Sequence, residues 1–573
     1  MGLFKYAIRN RLVRTNFMKS VIEIKNLCVN FKHINAVKNI NLTIPEGETL
    51  GLVGESGSGK SVTSLAVMGL LPEPQAKVTQ GEILYKGQNL LELSQKELTK
   101  IRGKKITMIF QEPMTSLNPV FKIGDQIIET IILHQKLSKK EARQKALDLL
   151  EEVGIPDSER KINDYPHQLS GGQRQRVMIA IAMACEPDLM ICDEPTTALD
   201  VTIQKQVLEL LVTLQKNHKM GLLFISHDLA VVAELAHYVA VMKKGVIVEQ
   251  GKAADIFTRP QDPYTKGLLA CRPSLGDNPK RLLTVKDFSK DSLPPEKLEI
   301  KTERKFDDKK NPVILEVKNC TKKFPIQSGF FGRTKGHFTA VNNVSFNLRK
   351  GMTLGLVGES GSGKTTLGRT ILHLTQPTEG EVLYRGQNLS LLNKKEMREM
   401  RKKIQIIFQD PYSSLNPRKT VGEIVTAPMI IHKIPNKKQK AQELLEKVGL
   451  SPDHYNRYPH EFSGGQRQRI SIARTLTLKP EFIICDESVS ALDVSIQAQV
   501  LNLLQDLQEE FDLTYIFISH DLNVVKYFSD EIIVMKEGQI VERATPTEIY
   551  KSPQMDYTKK LIDSIPKSPS MAF

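Results

Sequence analysis

The sequence predicts two tandem α/β domains of one fold, and three observations predict it. Long stretches of the first half return almost unchanged in the second. In each copy a short apolar run leads into a glycine-rich loop followed by a helical pattern. In each copy a second short apolar run ends in an Asp-Glu pair.

Size and composition bound the problem loosely. A chain of 573 residues suggests three or four domains at roughly 150 residues each. With 40% hydrophobic and 25% charged residues it falls in the ordinary globular range, which excludes collagen-like and wholly disordered chains. No apolar run approaches the ~18 to 20 residues of a membrane-spanning helix, 177–185 being among the longest, so a chain not integral to a membrane is expected. The formal charge of +15, from 80 Lys and Arg against 65 Asp and Glu, fits nucleic acid, an anionic membrane surface or polyphosphate ligands. The six cysteines include no C-x-x-C pair and are read as reduced, buried thiols.

The first twenty residues carry Lys5, Arg9, Arg11, Arg14 and Lys19 and no acid. They lack the apolar centre and cleavage site of a secretory signal. They read as an upstream extension of little consequence, with Met18 as an alternative start, or as a basic surface helix.

The repeat defines the organisation. Gly-Leu-Val-Gly-Glu-Ser-Gly-Ser-Gly-Lys occurs at 51–60 and 355–364, Ser-Gly-Gly-Gln-Arg-Gln-Arg at 170–176 and 463–469, and Ile-Ser-His-Asp-Leu at 225–229 and 518–522. Lys364 follows Lys60 by 304 positions and Gln409 follows Gln111 by 298, whereas Ser463, Asp486 and His520 each follow their counterparts by 293. Insertions therefore fall early in the unit, and its last third is constant in length. A period this long means two whole domains, at 20–272 and 313–565, with a basic extension at 1–19 and a tail at 566–573. Between them, 273–312 is rich in both charges and holds Pro294-Pro295, which reads as a solvated tether.

Within each domain the strands expected at 49–53 and 353–357 run into Gly54-x4-Gly59-Lys60-Ser61 and Gly358-x4-Gly363-Lys364-Thr365, and helices are expected at 61–71 and 365–374. Strand, glycine loop and helix in that order is the setting of a phosphate-binding loop. Gly54, Glu55, Ser56, Gly57, Ser58, Gly59, Lys60, Ser61 and Val62 form the first candidate cradle. Gly358, Glu359, Ser360, Gly361, Ser362, Gly363, Lys364, Thr365 and Thr366 form the second. The glycines let backbone N–H groups and the helix N-terminus face phosphates. Lys60 and Lys364 neutralise the terminal phosphates, and the Ser61 and Thr365 hydroxyls are candidate Mg2+ ligands. The apolar runs at 189–192 and 482–485 end in Asp193-Glu194 and Asp486-Glu487. The first acid of each pair suits the metal shell and the second the position of an attacking water.

With the Ser-Gly-Gly-Gln segments the chain resembles the ATP-binding component of ATP-binding-cassette transporters, with both cassettes in one chain. Ser170, Gly171, Gly172 and Gln173, and Ser463, Gly464, Gly465 and Gln466, match the family signature. Gln111 and Gln409 match the Q-loop glutamine, which also joins the Mg2+ set with Asp193 and Asp486. Asp200 and Asp493, in Ala-Leu-Asp segments, match the D-loop, and His227 and His520 the switch histidine. Phe31 and Phe324 stand where an aromatic residue stacks on adenine; ordinary core packing is the other reading.

The resemblance implies two P-loop NTPase domains, each a RecA-like core with a β-subdomain and a helical signature subdomain. It implies ATP and Mg2+ as ligands and two composite sites, Lys60 serving with Ser463 and Lys364 with Ser170. Glu194 and Glu487 then polarise the hydrolytic water, and His227 and His520 link it to the γ-phosphate. Neither site lacks a motif residue, so two hydrolytic sites are expected. Ser488 stands where the first half has Pro195, which alters a turn more than the chemistry.

The segments after Gln111 and Gln409, Tyr165-Pro-His167, Tyr458-Pro-His460, Pro263-Tyr-Thr265 and Tyr557-Thr558 resemble the dipeptide, oligopeptide and nickel importer subfamily. That resemblance implies uptake of di- or oligopeptides, glutathione or nickel complexes. The partners it implies are two membrane-spanning permease subunits and a substrate-binding protein, with the chain peripheral on the cytoplasmic face of the inner membrane and no nucleic acid bound. Cys271 and Cys320 are too few for the iron–sulfur cluster of some relatives. The alternatives are an exporter ATPase and a ribosome-associated twin-cassette ATPase. The short linker argues against the second.

Overall fold

The computed structural model describes residues 19–32, 34–111, 116–197, 199–273, 278–288, 299–328, 333–490 and 492–566. The extension up to Met18, residues 112–115 after the first Q-loop glutamine, Ala198, Ala491, Pro294-Pro295 and the tail from Lys567 lie outside them. The described chain divides into two compact units. One comprises the residues up to Pro195 together with Val207–Thr265, the other Thr196–Gln206 and Lys266–Pro566.

In the first unit, β1 (Ser20–Phe31), β2 (Ile34–Pro45), β4 (Ala76–Tyr85) and β5 (Gln88–Asn89) form an antiparallel sheet in the order β2-β1-β4-β5. The other sheet has the order β10-β9-β3-β8-β7-β6, from β3 (Thr49–Val53), β6 (Ile106–Ile109), β7 (Leu189–Asp193), β8 (Gly221–Ser226), β9 (Tyr238–Lys243) and β10 (Val246–Lys252). Its members from β6 to β9 are parallel, and only β10 runs against its neighbour. Every residue of β3, β7 and β8 is buried. A parallel strand covered on both faces has no polar side to alternate with, so these strands appear in the sequence as unbroken apolar runs. Parallel alignment also brings the carboxyl ends of β3, β7 and β8 to one edge, where the sequence puts Gly54, Glu194 and His227.

The second unit repeats the plan. β11 (Val313–Ser328), β12 (Arg333–Arg349), β14 (Glu379–Tyr384) and β15 (Gln387–Asn388) form the antiparallel sheet. β13 (Thr353–Val357), β16 (Ile404–Ile407), β17 (Phe482–Asp486), β18 (Thr514–Ile518), β19 (Glu531–Lys536) and β20 (Gln539–Ala544) form the other, in the order β16-β17-β18-β13-β19-β20. Each unit adds a helical lobe, built on Ile123–Gln135, Lys139–Glu152 and Gly171–Met183 in the first and on Val421–Ile431, Lys437–Lys447 and Gly464–Leu476 in the second. Core, β-subdomain and helical lobe are thus the three parts that the family resemblance implies.

The loop helices are shorter than expected, at Lys60–Val67 and Lys364–Ile371. Gly69 turns the chain at φ 58°, the Leu70 N–H closes on the Leu65 carbonyl at 2.8 Å, and the Arg102 guanidinium caps the Met68 and Gly69 carbonyls at 2.5 and 2.6 Å. These are tertiary caps on carbonyls left open at a helix end, and apolar periodicity does not report them.

The charged segment between the halves is not a solvated tether where it is described. Leu282 is 3% exposed, and it exchanges backbone hydrogen bonds with the Asn502 amide at 3.0 and 2.9 Å. Pro279 bridges Ile300, which closes the two ends of the segment on each other. Arg304 forks onto Asp530 at 2.8 and 2.6 Å, and Asp530 in turn accepts the Thr353 N–H at 2.8 Å where β13 begins. Mixed charge in a sequence looks the same whether each charge meets water or a particular partner, and here the partners lie about 200 residues downstream, at Asn502 and Asp530. The Asp530 side chain is only 5% exposed. Arg304→Ala strands that carboxylate, and a loss of about 1–3 kcal/mol is expected in denaturant unfolding of the full chain.

Candidate nucleotide sites

Each unit assembles its own constellation at the carboxyl edge of its parallel sheet. In the first, Gly54 leaves β3 at φ 150°, a conformation L side chains avoid, and an added Cβ would sit 2.1 Å from the Met242 carbonyl oxygen. Gly358 repeats this at φ 147°, 2.2 Å from the Met535 oxygen. Ser56 and Gly57 form an exposed crest, and a Cβ on Gly57 would meet nothing within 4 Å. The loop is therefore pinned at its base and open at its crest. Lys60 is buried and folds back onto the Gly54 and Glu55 carbonyls at 2.7 and 3.0 Å. Lys364 does the same to Gly358 and Glu359, both at 2.8 Å, and burial lowers the pKa of its ammonium.

The helix residue after each lysine meets the first acid. Ser61 Oγ donates to Asp193 Oδ1 at 3.2 Å, and Thr365 Oγ1 to Asp486 Oδ1 at 2.9 Å. Burial raises the pKa of both aspartic acids above its ordinary value. A buried carboxylate and a hydroxyl form a hard, all-oxygen donor pair, which suits Mg2+ completed by water and phosphate oxygens. Ser58 Oγ, buried in the first loop, has no hydrogen-bond partner among the described residues, whereas Ser362 Oγ in the second accepts from Lys364 Nζ at 3.3 Å.

The second acid is held differently. Glu194 and Glu487 lie one residue past their strands at φ 50° and 47°, and each N–H is tied to β8 or β18 through the Ile225 or Ile518 carbonyl at 2.9 Å. A strained backbone so anchored aims a side chain. Gln111 Nε2 donates to Glu194 Oε2 at 3.2 Å, and His227 Nδ1 lies 3.1 Å from the same oxygen. In the second unit Gln409 Nε2 donates to Glu487 Oε2 at 2.7 Å and His520 Nδ1 stands 3.6 Å away. Burial pushes Glu487 up, but the His520 imidazole and the Lys364 ammonium outweigh it and hold the carboxyl below its ordinary value. The carboxylate is then the resident form, as a general base requires.

The signature residues form helix caps. Ser170 Oγ accepts the Gln173 N–H at 3.3 Å while Gln173 Oε1 accepts the Ser170 N–H at 3.2 Å, and Ser463 and Gln466 repeat the box. Gly171 and Gly464 open their helices, at the end where backbone N–H groups have no intrahelical acceptor. Gly172 and Gly465 are buried, and a Cβ on Gly465 would lie 2.3 Å from the Ile496 side chain. Asp200 belongs to the second unit, where Oδ1 accepts the Ile203 N–H at 2.9 Å and Oδ2 the Ser360 N–H at 3.2 Å. Asp493 stands at the N-cap position of the helix Val494–Phe511 without a side-chain hydrogen bond to its first turn. Val62 and Thr366 are half-buried on the loop helices. Phe31 is half-buried at the end of β1, and Phe324 is 38% exposed with Lys322 Nζ 5.1 Å from its ring centre.

Two residues at the sites were read from sequence only as subfamily markers. Tyr264 Oη accepts the Glu55 N–H at 3.2 Å, and Tyr557 Oη the Glu359 N–H at 3.1 Å. Their signal was present, since they recur at the same 293-residue offset as the motif residues.

Comparison with known proteins shows the family. The ABC transporter family matches residues 37–197 and 341–490, and the oligopeptide/dipeptide transporter C-terminal region matches 248–294 and 541–570. The chain is 48% identical over 565 residues to the "Glutathione import ATP-binding protein GsiA" of Salmonella choleraesuis strain SC-B67, covering 96% of this chain and 90% of the relative. It is 47% identical over 566 residues to the protein of that name from Escherichia coli strain K12, with the same coverage. The chain belongs to the ABC transporter family, as a two-cassette ATPase of the oligopeptide/dipeptide transporter type.

Proposed function

We propose that this ATPase powers uptake of a short peptide of the glutathione type, with two ATP sites that both turn over. The observation that carries the reading is the duplicated constellation. Each unit supplies a loop lysine, a hydroxyl–aspartate pair, and a glutamate joined by a glutamine and a histidine. Identity of 47–48% to glutathione import ATP-binding proteins, over 96% of this chain, favours that cargo class.

The lysines and loop N–H groups bind the phosphates. Ser61 with Asp193, Gln111 nearby, and Thr365 with Asp486, Gln409 nearby, would hold Mg2+, which when bound supplies charge neutralisation on the phosphates. Glu194 and Glu487 take the proton of the attacking water. His227 and His520 orient each carboxylate and lie next to the reacting centre. In this reading the signature box of one cassette completes the site of the other, Ser463 with Lys60 and Ser170 with Lys364, so bound ATP draws the cassettes together. The partners are two membrane-spanning permeases and a substrate-binding protein, and the chain works at the cytoplasmic face of the cell membrane. Among the described residues no helix is long and apolar enough to cross a membrane.

Reconstitution tests the proposal. The chain, its copurifying permeases and the binding protein in liposomes are expected to show glutathione uptake that depends on ATP and on the loaded binding protein. Copurification with ribosomes instead of two hydrophobic subunits overturns the reading. So does uptake of an unrelated cargo with glutathione ignored.

A further inference from the structure

We infer that Tyr264 and Tyr557 are positioning residues for the two nucleotide loops, one in each unit. The inference rests on the loops being ATP sites. The same hydrogen bond occurs twice, from the Glu55 N–H to Tyr264 Oη at 3.2 Å and from the Glu359 N–H to Tyr557 Oη at 3.1 Å. The carbonyl of the same loop residue is taken by the lysine, from Lys60 Nζ at 3.0 Å and from Lys364 Nζ at 2.8 Å. The residue that opens each loop is thus held at both its backbone groups, by a phenol on the N–H and by an ammonium on the C=O.

A phosphate loop binds because several backbone donors converge on one point. Fixing the curl before nucleotide arrives removes an ordering cost from binding. One donor turned to a fixed protein acceptor does this, and it leaves the crest open, as at Gly57.

The phenols are well placed to act as fixed acceptors. Tyr264 is 2% exposed on the helix Pro263–Ala270, and its own N–H is held by Asp262 Oδ1 at 2.8 Å. Lys243 Nζ lies 4.4 Å from the centre of its ring, and Lys536 Nζ lies 5.3 Å from that of Tyr557. Those lysines end β9 and β19 directly after Met242 and Met535, whose carbonyls crowd Gly54 and Gly358. Phenol, strand end and loop glycine therefore form one packed corner in each unit. Burial, together with the Glu359 carboxylate, pushes the Tyr557 phenol up to about 12, so its oxygen is a neutral acceptor across the working pH range. Both tyrosines lie in the segments that match the oligopeptide/dipeptide transporter C-terminal region, which gives that region a direct hold on the ATP sites.

The test is Tyr264→Phe, Tyr557→Phe and the double variant in the full chain, because Phe keeps the ring and removes only the acceptor. The double variant is expected to raise KM for ATP and Kd for a fluorescent ATP analogue by about three- to tenfold, the yield of one hydrogen bond per site. The expected kcat stays within about twofold and Tm within a few degrees, since ring burial is unchanged. Unchanged KM and Kd overturn the inference, and so does a fall in Tm and kcat with KM unchanged, the mark of a role in packing alone. Lys60→Ala and Lys364→Ala in the same assay keep the two readings apart. If the lysine variants bind nucleotide normally, the reading of the loops fails. If they do not bind and the phenylalanine variants match the parent, only the role of the tyrosines fails.

Discussion

Replacing Glu194 and Glu487 together by Gln is expected to lower ATP turnover by at least about a thousandfold while leaving ATP bound. The expectation follows from how the carboxylates are held. Each sits on a backbone anchored in the left-handed region, and the Gln and His partners meet it at Oε2. Gln keeps the shape and accepts hydrogen bonds, so the loop, the lysine and the hydroxyl–aspartate pair remain to bind nucleotide. Only the ability to take a proton is lost. Phosphate release under steady state measures turnover, and nucleotide retained through gel filtration measures trapping. Each single variant is expected to lose a substantial share of turnover. A single variant with full turnover would show that its site does not contribute.

Gly54→Ala and Gly358→Ala are expected to lower ATP affinity at their own loops by more than about a hundredfold and to destabilise the chain by about 2–4 kcal/mol. The added methyl would stand 2.1 or 2.2 Å from a strand carbonyl oxygen, and neither φ of 150° nor 147° suits an L residue. Neither β9 nor β19 can retreat without breaking its ladder to β3 or β13. The loop must then leave its curl, and its donors no longer converge. Gly57→Ala is the contrast, since nothing lies within 4 Å of the new methyl and the strain is that of one left-handed residue, about 1–2 kcal/mol. Equilibrium nucleotide binding and thermal denaturation of the variants separate the two effects.

Much of the fold was legible because its central strands are covered on both faces. Residues 49–53, 189–193 and 221–226 appear as continuous apolar runs, bounded by the motif residues they deliver to the sheet edge. The loop lysines, hydroxyls and acid pairs were named from motif spacing, and the glutamines and histidines from resemblance to the family's motifs. The linker was misread, because ten basic and eight acidic residues in 276–312 look the same solvated or paired, and Asn502 and Asp530 are remote in sequence. The end of the first loop helix was overrun, because Arg102 caps a carbonyl 34 positions earlier.

Recurring motifs of fixed spacing, and the family they resemble, were enough to read two cassettes of one fold and to name the candidate site residues, because such motifs are local in the chain. The tertiary structure decided which groups meet. Glu194 shares one oxygen with Gln111 and His227, Arg304 clasps Asp530, and Tyr264 and Tyr557 hold the loops from the far end of their units. Each of these is a contact between segments tens to hundreds of residues apart. Such contacts are made by packing, and local pattern carries no record of the partner.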